Sequence, residues 1–377
     1  MRLIPVSSLN PGFKIARSVY NSNGQVLLSA GTKLTVRFIK KLKRLGIQRI
    51  YVDDGLLPDI EIEDVILEET RKQAVSRVKA FMTGFGPEKK ITVKKAAVVC
   101  RDMMDSVIEI TDQLMVNRSM LVNMQDIRTY DEYTFGHSVN VCVLSLLAGI
   151  NLGYDPKRLV QLGLGAIMHD IGKTLVPAKI INKPERLTPD EFEEVKKHCQ
   201  YGAKLIKQAG FDGALVSAVA LQHHERHNGE GYPRGIKEDR IHEFARIVAV
   251  ADTYDAITSD RVYKKASLPH VAYEMLAGSG DYDFDYSVVN AFLHNIAAYP
   301  TGTFVELNTG ELGAVVETFR GNSLHPRVRV LFAPDGSYME NCYEISLHEE
   351  PGLSIIRVLD DLDCPTVAVE ELRKNIG

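Results

Sequence analysis

Histidine and aspartate residues at separated positions of this sequence have the chemistry of metal ligands. His169 and Asp170 are adjacent and follow the apolar run Leu162–Met168, so both side chains are expected to be buried. Burying an imidazole and a carboxylate together is unfavourable unless a partner compensates them, and a metal ion is a common partner. Six of the eleven histidines lie between positions 137 and 227. The sequence therefore predicts a metal centre with nitrogen and oxygen ligands from His137, His169, Asp170, His198, His223, His224 and Asp252.

The number of these ligands predicts more than one cation. Seven ligands are too many for one four-coordinate ion, but they suit two adjacent ions that share a carboxylate. Two cations about 3.5–4 Å apart lower the pKa of a shared water, so that hydroxide forms at neutral pH and can attack a phosphate ester. Iron, manganese, nickel and zinc all accept such ligands, so the ligand types leave the identity of the metal open.

The helices that must position these ligands can be inferred from their ends. Thr188–Glu191 has the sequence of a capping box with proline at the first helical position, and it predicts a helix that carries His198. Adjacent helical residues point about 100° apart, so His169 and Asp170 can reach one pocket only near a helix end. Gly172 is expected to provide that end.

Two carboxylates accompany a buried segment late in the helical region. Asp252 follows the apolar run Ile247–Ala251 and is expected to project from that segment. Asp255 lies one helical turn later and has two interpretations. It could act in catalysis by positioning the water or a proton, or it could support a histidine ligand.

The length and the patterning predict a multidomain, mainly α protein. A chain of 377 residues is too long for one ordinary core. Residues 1–60 have the pattern of a small N-terminal α+β unit, and residues 61–127 that of a helical linker or dimerisation region. Residues 128–300 are predicted to form the all-α catalytic core. Residues 301–377 alternate with period two and predict a C-terminal β-rich appendix.

Bulk composition excludes several classes of partner. The net charge of −4 argues against a nucleic-acid polymer as the main partner. An anionic ligand would therefore need local positive charge or metal. No apolar run reaches the roughly 18–20 residues of a transmembrane helix, so no membrane partner is expected. The five cysteines are scattered, which favours a reducing, cytoplasmic location.

Four motifs of this sequence resemble those of the HD-GYP phosphodiesterases, a branch of the HD-domain metal-dependent phosphohydrolases. The resemblance covers roughly residues 128–300 and includes an intact Gly-Tyr-Pro segment at 231–233. It predicts an HD-type helical bundle for the catalytic core. The matching motifs are Asp131–Ser138, His169–Lys173, His223–Gly235 and Asp252–Lys264.

The resemblance implies hydrolysis of cyclic di-GMP, a bacterial second messenger, at iron or manganese. The product would be linear pGpG, with GMP as a further product left open. One metal would be held by His137, His169 and Asp252, a second by His198, His223 and His224, with Asp170 bridging the two. Some members bind a third metal through a glutamate four residues before the first histidine. Tyr133 stands at that position, so two metals are expected.

The resemblance also implies substrate contacts and partners. Lys173 would contact the phosphate or the leaving oxygen, and Tyr232 would stack or hydrogen-bond at the substrate. Arg261 and Lys264 would contact the phosphate and guanine portions. A homodimer through residues 61–127 and a GGDEF-type or other signalling partner at the Gly-Tyr-Pro face are further expectations.

Two other functions stay open at this point. One is an HD phosphohydrolase for another nucleotide, such as cyclic GMP-AMP. The other is a receptor that binds cyclic di-GMP without cleaving it. The intact Gly-Tyr-Pro segment, together with Arg261 and Lys264, argues against a generic nucleotidase. The complete ligand set argues against a receptor.

Overall fold

The computed structural model shows two compact units, one mixed and one helical. The mixed unit comprises Met1–Asp64, Leu121–Glu132 and Ile296–Gly377, and the helical unit comprises Val65–Met120 and Tyr133–Asn295. The residues described by the structure are 1–20, 26–45, 47, 49–53, 55–61, 64–84, 93–118, 120–122, 133–210, 214–259 and 266–359. Arg261 and Lys264 therefore lie outside the described residues.

The N-terminal part of the mixed unit is a small α+β arrangement, as predicted. Its three-stranded antiparallel sheet has the order β1-β5-β2, and β3 pairs with β4. Thr35 caps the helix by accepting a hydrogen bond from the backbone N–H of Phe38 at 3.2 Å. The elements are β1 (Arg2–Pro5), β2 (Lys14–Ile15), β3 (Val19–Tyr20), β4 (Val26–Leu28), α1 (Val36–Arg44) and β5 (Arg49–Asp53).

The C-terminal part of the mixed unit is a five-stranded antiparallel sheet, which confirms the predicted β-rich appendix. The strand order is β10-β6-β7-β8-β9. Side chains from one face of three neighbouring strands, such as Phe304, Ala314 and Phe332, are buried in one apolar cluster. The strands are β6 (Phe304–Leu307), β7 (Leu312–Glu317), β8 (Arg327–Phe332), β9 (Tyr338–Ser346) and β10 (Ile355–Val358).

The helical unit forms the predicted bundle and carries every predicted metal ligand. Its centre is built by α5, which packs against α4 and α9, and by α10, which packs against α4. Among the described residues, no helix is both long enough and apolar enough to cross a bilayer. The helices are α2 (Glu68–Gly84), α3 (Val93–Val116), α4 (Tyr133–Asn151), α5 (Pro156–Met168), α6 (Ala178–Ile181), α7 (Pro189–Lys196), α8 (His198–Gln208), α9 (Ala214–Gln222), α10 (Glu243–Thr258), α11 (Pro269–Ala277) and α12 (Tyr286–Leu293).

The predicted capping box is confirmed, but the helix that it opens does not carry His198. The side chains of Thr188 and Glu191 each accept a hydrogen bond from the other's backbone N–H, at 3.3 and 2.8 Å. The capped helix α7 ends at Lys196, and His198 is the first residue of α8. The carbonyl of Val195 lies in the last turn of α7 and accepts a hydrogen bond from the His198 ring at 2.6 Å.

The prediction that Gly172 ends the helix bearing His169 is wrong. Helix α5 already ends at Met168, and Gly172 lies inside a 3-10 helix that spans Ile171–Leu175. A glycine is required there for a different reason. Any Cβ at position 172 would collide with the backbone carbonyl of His198. The missing side chain therefore lets α8 approach the His169–Asp170 pair.

Candidate metal centre

The seven predicted ligands come from five segments of the helical unit and meet in its interior. His224 is half-buried and the other six are buried, with at most 8% of their surface exposed. We call these seven residues the ligand cluster. His137 lies in α4, His169 and Asp170 follow α5, His198 begins α8, His223 and His224 follow α9, and Asp252 lies in α10.

Asp170 lies at the centre of the ligand cluster. Its Oδ1 lies 3.4 Å from Nε2 of His198 and 3.8 Å from Nε2 of His223. Its Oδ2 lies 3.3 Å from Nε2 of His169 and 3.8 Å from Nε2 of His137. The two oxygens of one carboxylate thus face two different pairs of imidazoles, which is the arrangement of a bridging ligand.

The remaining ligands close the cluster on the side of α10. Oδ1 of Asp252 lies 3.1 Å from Nε2 of His137, and Oδ2 lies 3.9 Å from Nδ1 of His224. The described residues contain three sets of candidate ligands, and within each set all the ligand atoms lie within 4.8 Å of one another. These sets are Asp170 with His198, His223 and His224; His137 with His169 and Asp170; and His169 with His223 and Asp252.

Backbone carbonyls fix the orientation of three histidine rings. A carbonyl oxygen only accepts hydrogen bonds, so each Nδ1 carries a proton, and in the neutral ring Nε2 then presents a lone pair to the cluster. Such support of the opposite ring nitrogen is typical of histidine metal ligands. The bonds are His169 to Ala166 at 2.7 Å, His198 to Val195 at 2.6 Å and His223 to Ala220 at 3.1 Å.

The ligand cluster contains polar atoms whose hydrogen-bonding capacity is unused. Nε2 of His169 and Oδ1 of Asp170 are buried and have no hydrogen-bond partner among the described residues. Each such atom costs about 1–3 kcal/mol when buried without a partner. Lone pairs facing a carboxylate repel it, and a cation between them would satisfy both. The residues present therefore fit a divalent metal centre.

His137 is supported by a carboxylate instead of a carbonyl. Its Nδ1 lies 2.6 Å from Oδ2 of Asp255, whose Oδ1 accepts a hydrogen bond from Asn140 at 2.7 Å. Burial lowers the pKa of His137, but Asp252 and Asp255 outweigh burial and raise that pKa to about 9. With this pKa the His137 ring carries a proton on each nitrogen at neutral pH, and a bound cation would replace the proton on Nε2. Asn140 was missed in the sequence, although it lies three residues after His137 on the same helix.

Lys173 places a positive charge at the partly open edge of the ligand cluster. Its ammonium donates a hydrogen bond to Oδ2 of Asp170, and 30% of its side chain is exposed. Burial raises the pKa of Asp170, but Lys173 and His169 outweigh burial and hold that pKa well below its usual range. Asp170 is therefore a carboxylate at neutral pH.

The Gly-Tyr-Pro segment packs on the turn that carries His223 and His224. Any Cβ at Gly231 would collide with the backbone of His224 and Arg226. This close approach lets the Tyr232 ring stack on the ring of His224, with centroids 4.6 Å apart and planes inclined by 30°. The predicted substrate residue Tyr232 therefore lies at the edge of the ligand cluster.

Glu225 is a structural residue of this turn that sequence reasoning missed. Its carboxylate is buried and accepts hydrogen bonds from the backbone N–H groups of Arg234 at 2.9 Å and Ile236 at 3.1 Å. Glu225 thus fastens the chain directly after Tyr232. A signal was present, since a carboxylate beside two ligands in a glycine-rich turn can accept from turn amides.

The chain matches two family models and is similar to several known proteins. The family model described as HD domain matches residues 88–288, and the one described as KOW domain associated with HD domain matches residues 304–364. The chain is 38% identical over 272 residues to the cyclic di-GMP phosphodiesterase PA4108 of Pseudomonas aeruginosa, covering 71% of this chain and 65% of the relative.

Two further relatives match shorter stretches of the chain. A cyclic di-GMP phosphodiesterase of Thermotoga maritima is 34% identical over 193 residues, which are 51% of this chain and 49% of the relative. The 3'3'-cGAMP-specific phosphodiesterase 3 of Vibrio cholerae is 36% identical over 135 residues, which are 36% of this chain and 29% of the relative. The chain thus spans less than two thirds of the length of these relatives. Because the HD domain model covers more than half of the chain, the protein belongs to the HD domain family.

Proposed function

We propose that this protein is an HD-GYP phosphodiesterase that hydrolyses cyclic di-GMP to linear pGpG with two divalent metal ions, iron or manganese. The observation that carries the proposal is the position of Asp170, whose two oxygens face two different pairs of imidazoles in a buried cluster. Cyclic di-GMP is proposed as the substrate because the similar proteins from Pseudomonas aeruginosa and Thermotoga maritima are cyclic di-GMP phosphodiesterases.

The ligand cluster divides into two halves around Asp170. His137, His169 and Asp252 would hold one cation, and His198, His223 and His224 would hold the other. When bound, the cations supply Lewis-acid chemistry, which polarises phosphoryl oxygens and makes water a stronger acid. Burial lowers the pKa of His198 to about 4, so this ring is neutral and ready to bind metal at neutral pH.

Asp255 is assigned as a positioning residue rather than a catalytic one. Its carboxylate contacts Nδ1 of His137, on the opposite ring edge from the nitrogen that faces Asp170 and Asp252. Asn140 holds its second oxygen. Both oxygens are therefore engaged away from the expected phosphate, and their charge orients the His137 ring and makes it a more basic ligand.

Lys173 is assigned to the phosphate or the leaving oxygen. Its ammonium lies beside Asp170 and its side chain is partly exposed, so Lys173 can meet an anionic ligand without leaving the edge of the cluster. A positive charge at this place would stabilise the negative charge that develops on a departing oxygen. The contacts expected from Arg261 and Lys264 stay predictions.

Hydrolysis of cyclic GMP-AMP is the second candidate, because the similar Vibrio cholerae protein is named for that substrate. The decisive experiment incubates protein loaded with manganese, or with iron under anaerobic conditions, with each dinucleotide separately. Mass spectrometry then identifies the products, and metal analysis counts the ions per chain. Linear pGpG supports the proposal, while turnover of cyclic GMP-AMP alone supports the second candidate. Bound but unchanged cyclic di-GMP would support a receptor instead.

The homodimer through residues 61–127, the signalling partner at the Gly-Tyr-Pro face and the cytoplasmic location stay predictions. Helix α3 has side chains that suit a dimer. Met104, Ile108 and Met115 lie on one helical face and are 37–41% exposed. Sedimentation of the wild-type protein and of Ile108→Glu tests this surface, since a charge on that face would dissociate the dimer.

A further inference from the structure

One exposed aromatic residue at the edge of the ligand cluster has no role in the metal centre. Phe192 lies in the short helix α7 and is 44% exposed. Its ring meets the ring of Tyr232 edge to face, with centroids 6.2 Å apart and planes at 80°. Since Tyr232 stacks on His224, the two aromatic rings lead from a metal ligand outward to solvent.

A lysine completes this group of side chains. Lys196 lies one helical turn after Phe192, with Nζ 4.9 Å from the ring centroid of Phe192 and 5.5 Å from that of Tyr232. Both distances are within the range of a cation–π contact. Nζ also binds Oε1 of Glu193 at 2.6 Å, which limits where the ammonium can lie. We call Phe192, Lys196 and Tyr232 the base clamp.

The chemistry of the base clamp fits a nucleobase. Partly exposed aromatic rings stack on flat bases, and each stacked base contributes about 1–3 kcal/mol. In a nucleotide, the base is joined through a sugar to the phosphate that the neighbouring ligand cluster would bind. An ammonium group discriminates between purines, because guanine offers the O6 and N7 acceptors whereas adenine replaces O6 with an amino donor.

We propose that the Phe192 ring stacks on one base of the substrate, that Tyr232 meets the same base edge to face, and that Lys196 donates to the acceptor edge of guanine. This inference rests on the proposed function, because it names how the same site recognises its nucleotide. It assigns Phe192 to affinity and Lys196 to the choice of guanine over adenine.

The test compares the kinetics of metal-loaded wild type, Phe192→Ala, Phe192→Tyr and Lys196→Gln. Phe192→Ala is expected to raise KM for cyclic di-GMP about tenfold, which corresponds to the loss of about 1.4 kcal/mol of stacking. Phe192→Tyr is expected to restore KM, since a phenol ring also stacks. Lys196→Gln is expected to lower the preference for cyclic di-GMP over cyclic di-AMP about tenfold. Tyr286→Ala, at a tyrosine that is 59% exposed, is the control and should match wild type.

The outcomes separate the base clamp from the proposed function. If wild type cleaves cyclic di-GMP and Phe192→Ala keeps the wild-type KM, the clamp is rejected and the function stands. If Phe192→Ala loses bound metal, Phe192 acts on the fold and the clamp is likewise rejected. If wild type cleaves no cyclic di-GMP, the function is rejected, and equilibrium titration with uncleaved cyclic di-GMP decides the clamp. Equal Kd values for wild type and Phe192→Ala would then overturn it.

Discussion

The ligand cluster and the base clamp lie side by side but are held in different ways. In the cluster, His169, His198 and His223 are buried, and a backbone carbonyl fixes the protonated nitrogen of each ring. In the clamp, Phe192 is 44% exposed, and its ring packs edge to face against the ring of Tyr232. Metal ligands must be held in fixed positions for catalysis, whereas an aromatic ring that stacks on a base can rotate slightly and still stack. The difference indicates rigid chemistry at the ligand cluster beside adaptable recognition of the base at the clamp.

The largest effect is expected from Asp170→Ala, which breaks the centre of the ligand cluster. Without this carboxylate the two halves lose their shared ligand, and buried imidazoles lose the negative charge that favours a cation nearby. Both metal binding and turnover should be abolished, as measured by metal analysis and product formation. Asp239→Ala, at an exposed aspartate, is the matched control. An active Asp170→Ala protein would reject the bridging role.

A smaller loss is expected from Lys173→Met, beside Asp170 in the ligand cluster. Removing a charge that stabilises a developing anion costs about 10²–10³ in kcat. The ligands themselves stay in place, so the variant should keep its metal while kcat falls. Lys179→Met, at an exposed lysine nearby, serves as the control. Loss of metal in Lys173→Met would show instead that the lysine acts through Asp170.

Asp255→Asn should lower metal affinity by about 10–100-fold, the usual effect of losing the carboxylate behind a histidine ligand. The amide still fits beside His137 but no longer carries the charge that makes the ring basic. Metal titration of wild type, Asp255→Asn and Asp239→Asn measures the effect. Wild-type metal affinity together with lost turnover would restore the catalytic interpretation of Asp255.

Some parts of the site could be inferred from the sequence and others could not. The members of the ligand cluster could be selected because residue type and short motifs mark them as candidate ligands, and the HD-type core was implied by the resemblance of those motifs to a known family. Glu225 was overlooked, although its backbone partners follow in the same turn. Asn140 and Phe192 could not be predicted, because their roles depend on neighbours supplied by other segments. Gly172 was misinterpreted for the same reason, since its requirement comes from the backbone of His198, which is distant in sequence.

Glu225→Gln should give the smallest effect, and it tests whether the two regions depend on each other. The glutamine keeps one carbonyl oxygen, so the backbone N–H of either Arg234 or Ile236 loses its acceptor. The free energy of unfolding should fall by about 1–3 kcal/mol, as measured by denaturation. Metal content should persist, because the histidine rings have their own supports.

Because Glu225 fastens the segment of Tyr232, KM for cyclic di-GMP should rise in Glu225→Gln by less than in Phe192→Ala. Glu230→Gln, at an exposed glutamate of the same turn, is the control for both measurements. Loss of metal in Glu225→Gln would show that the loop also orders His224, and the separation between rigid chemistry and adaptable recognition would fail at that residue.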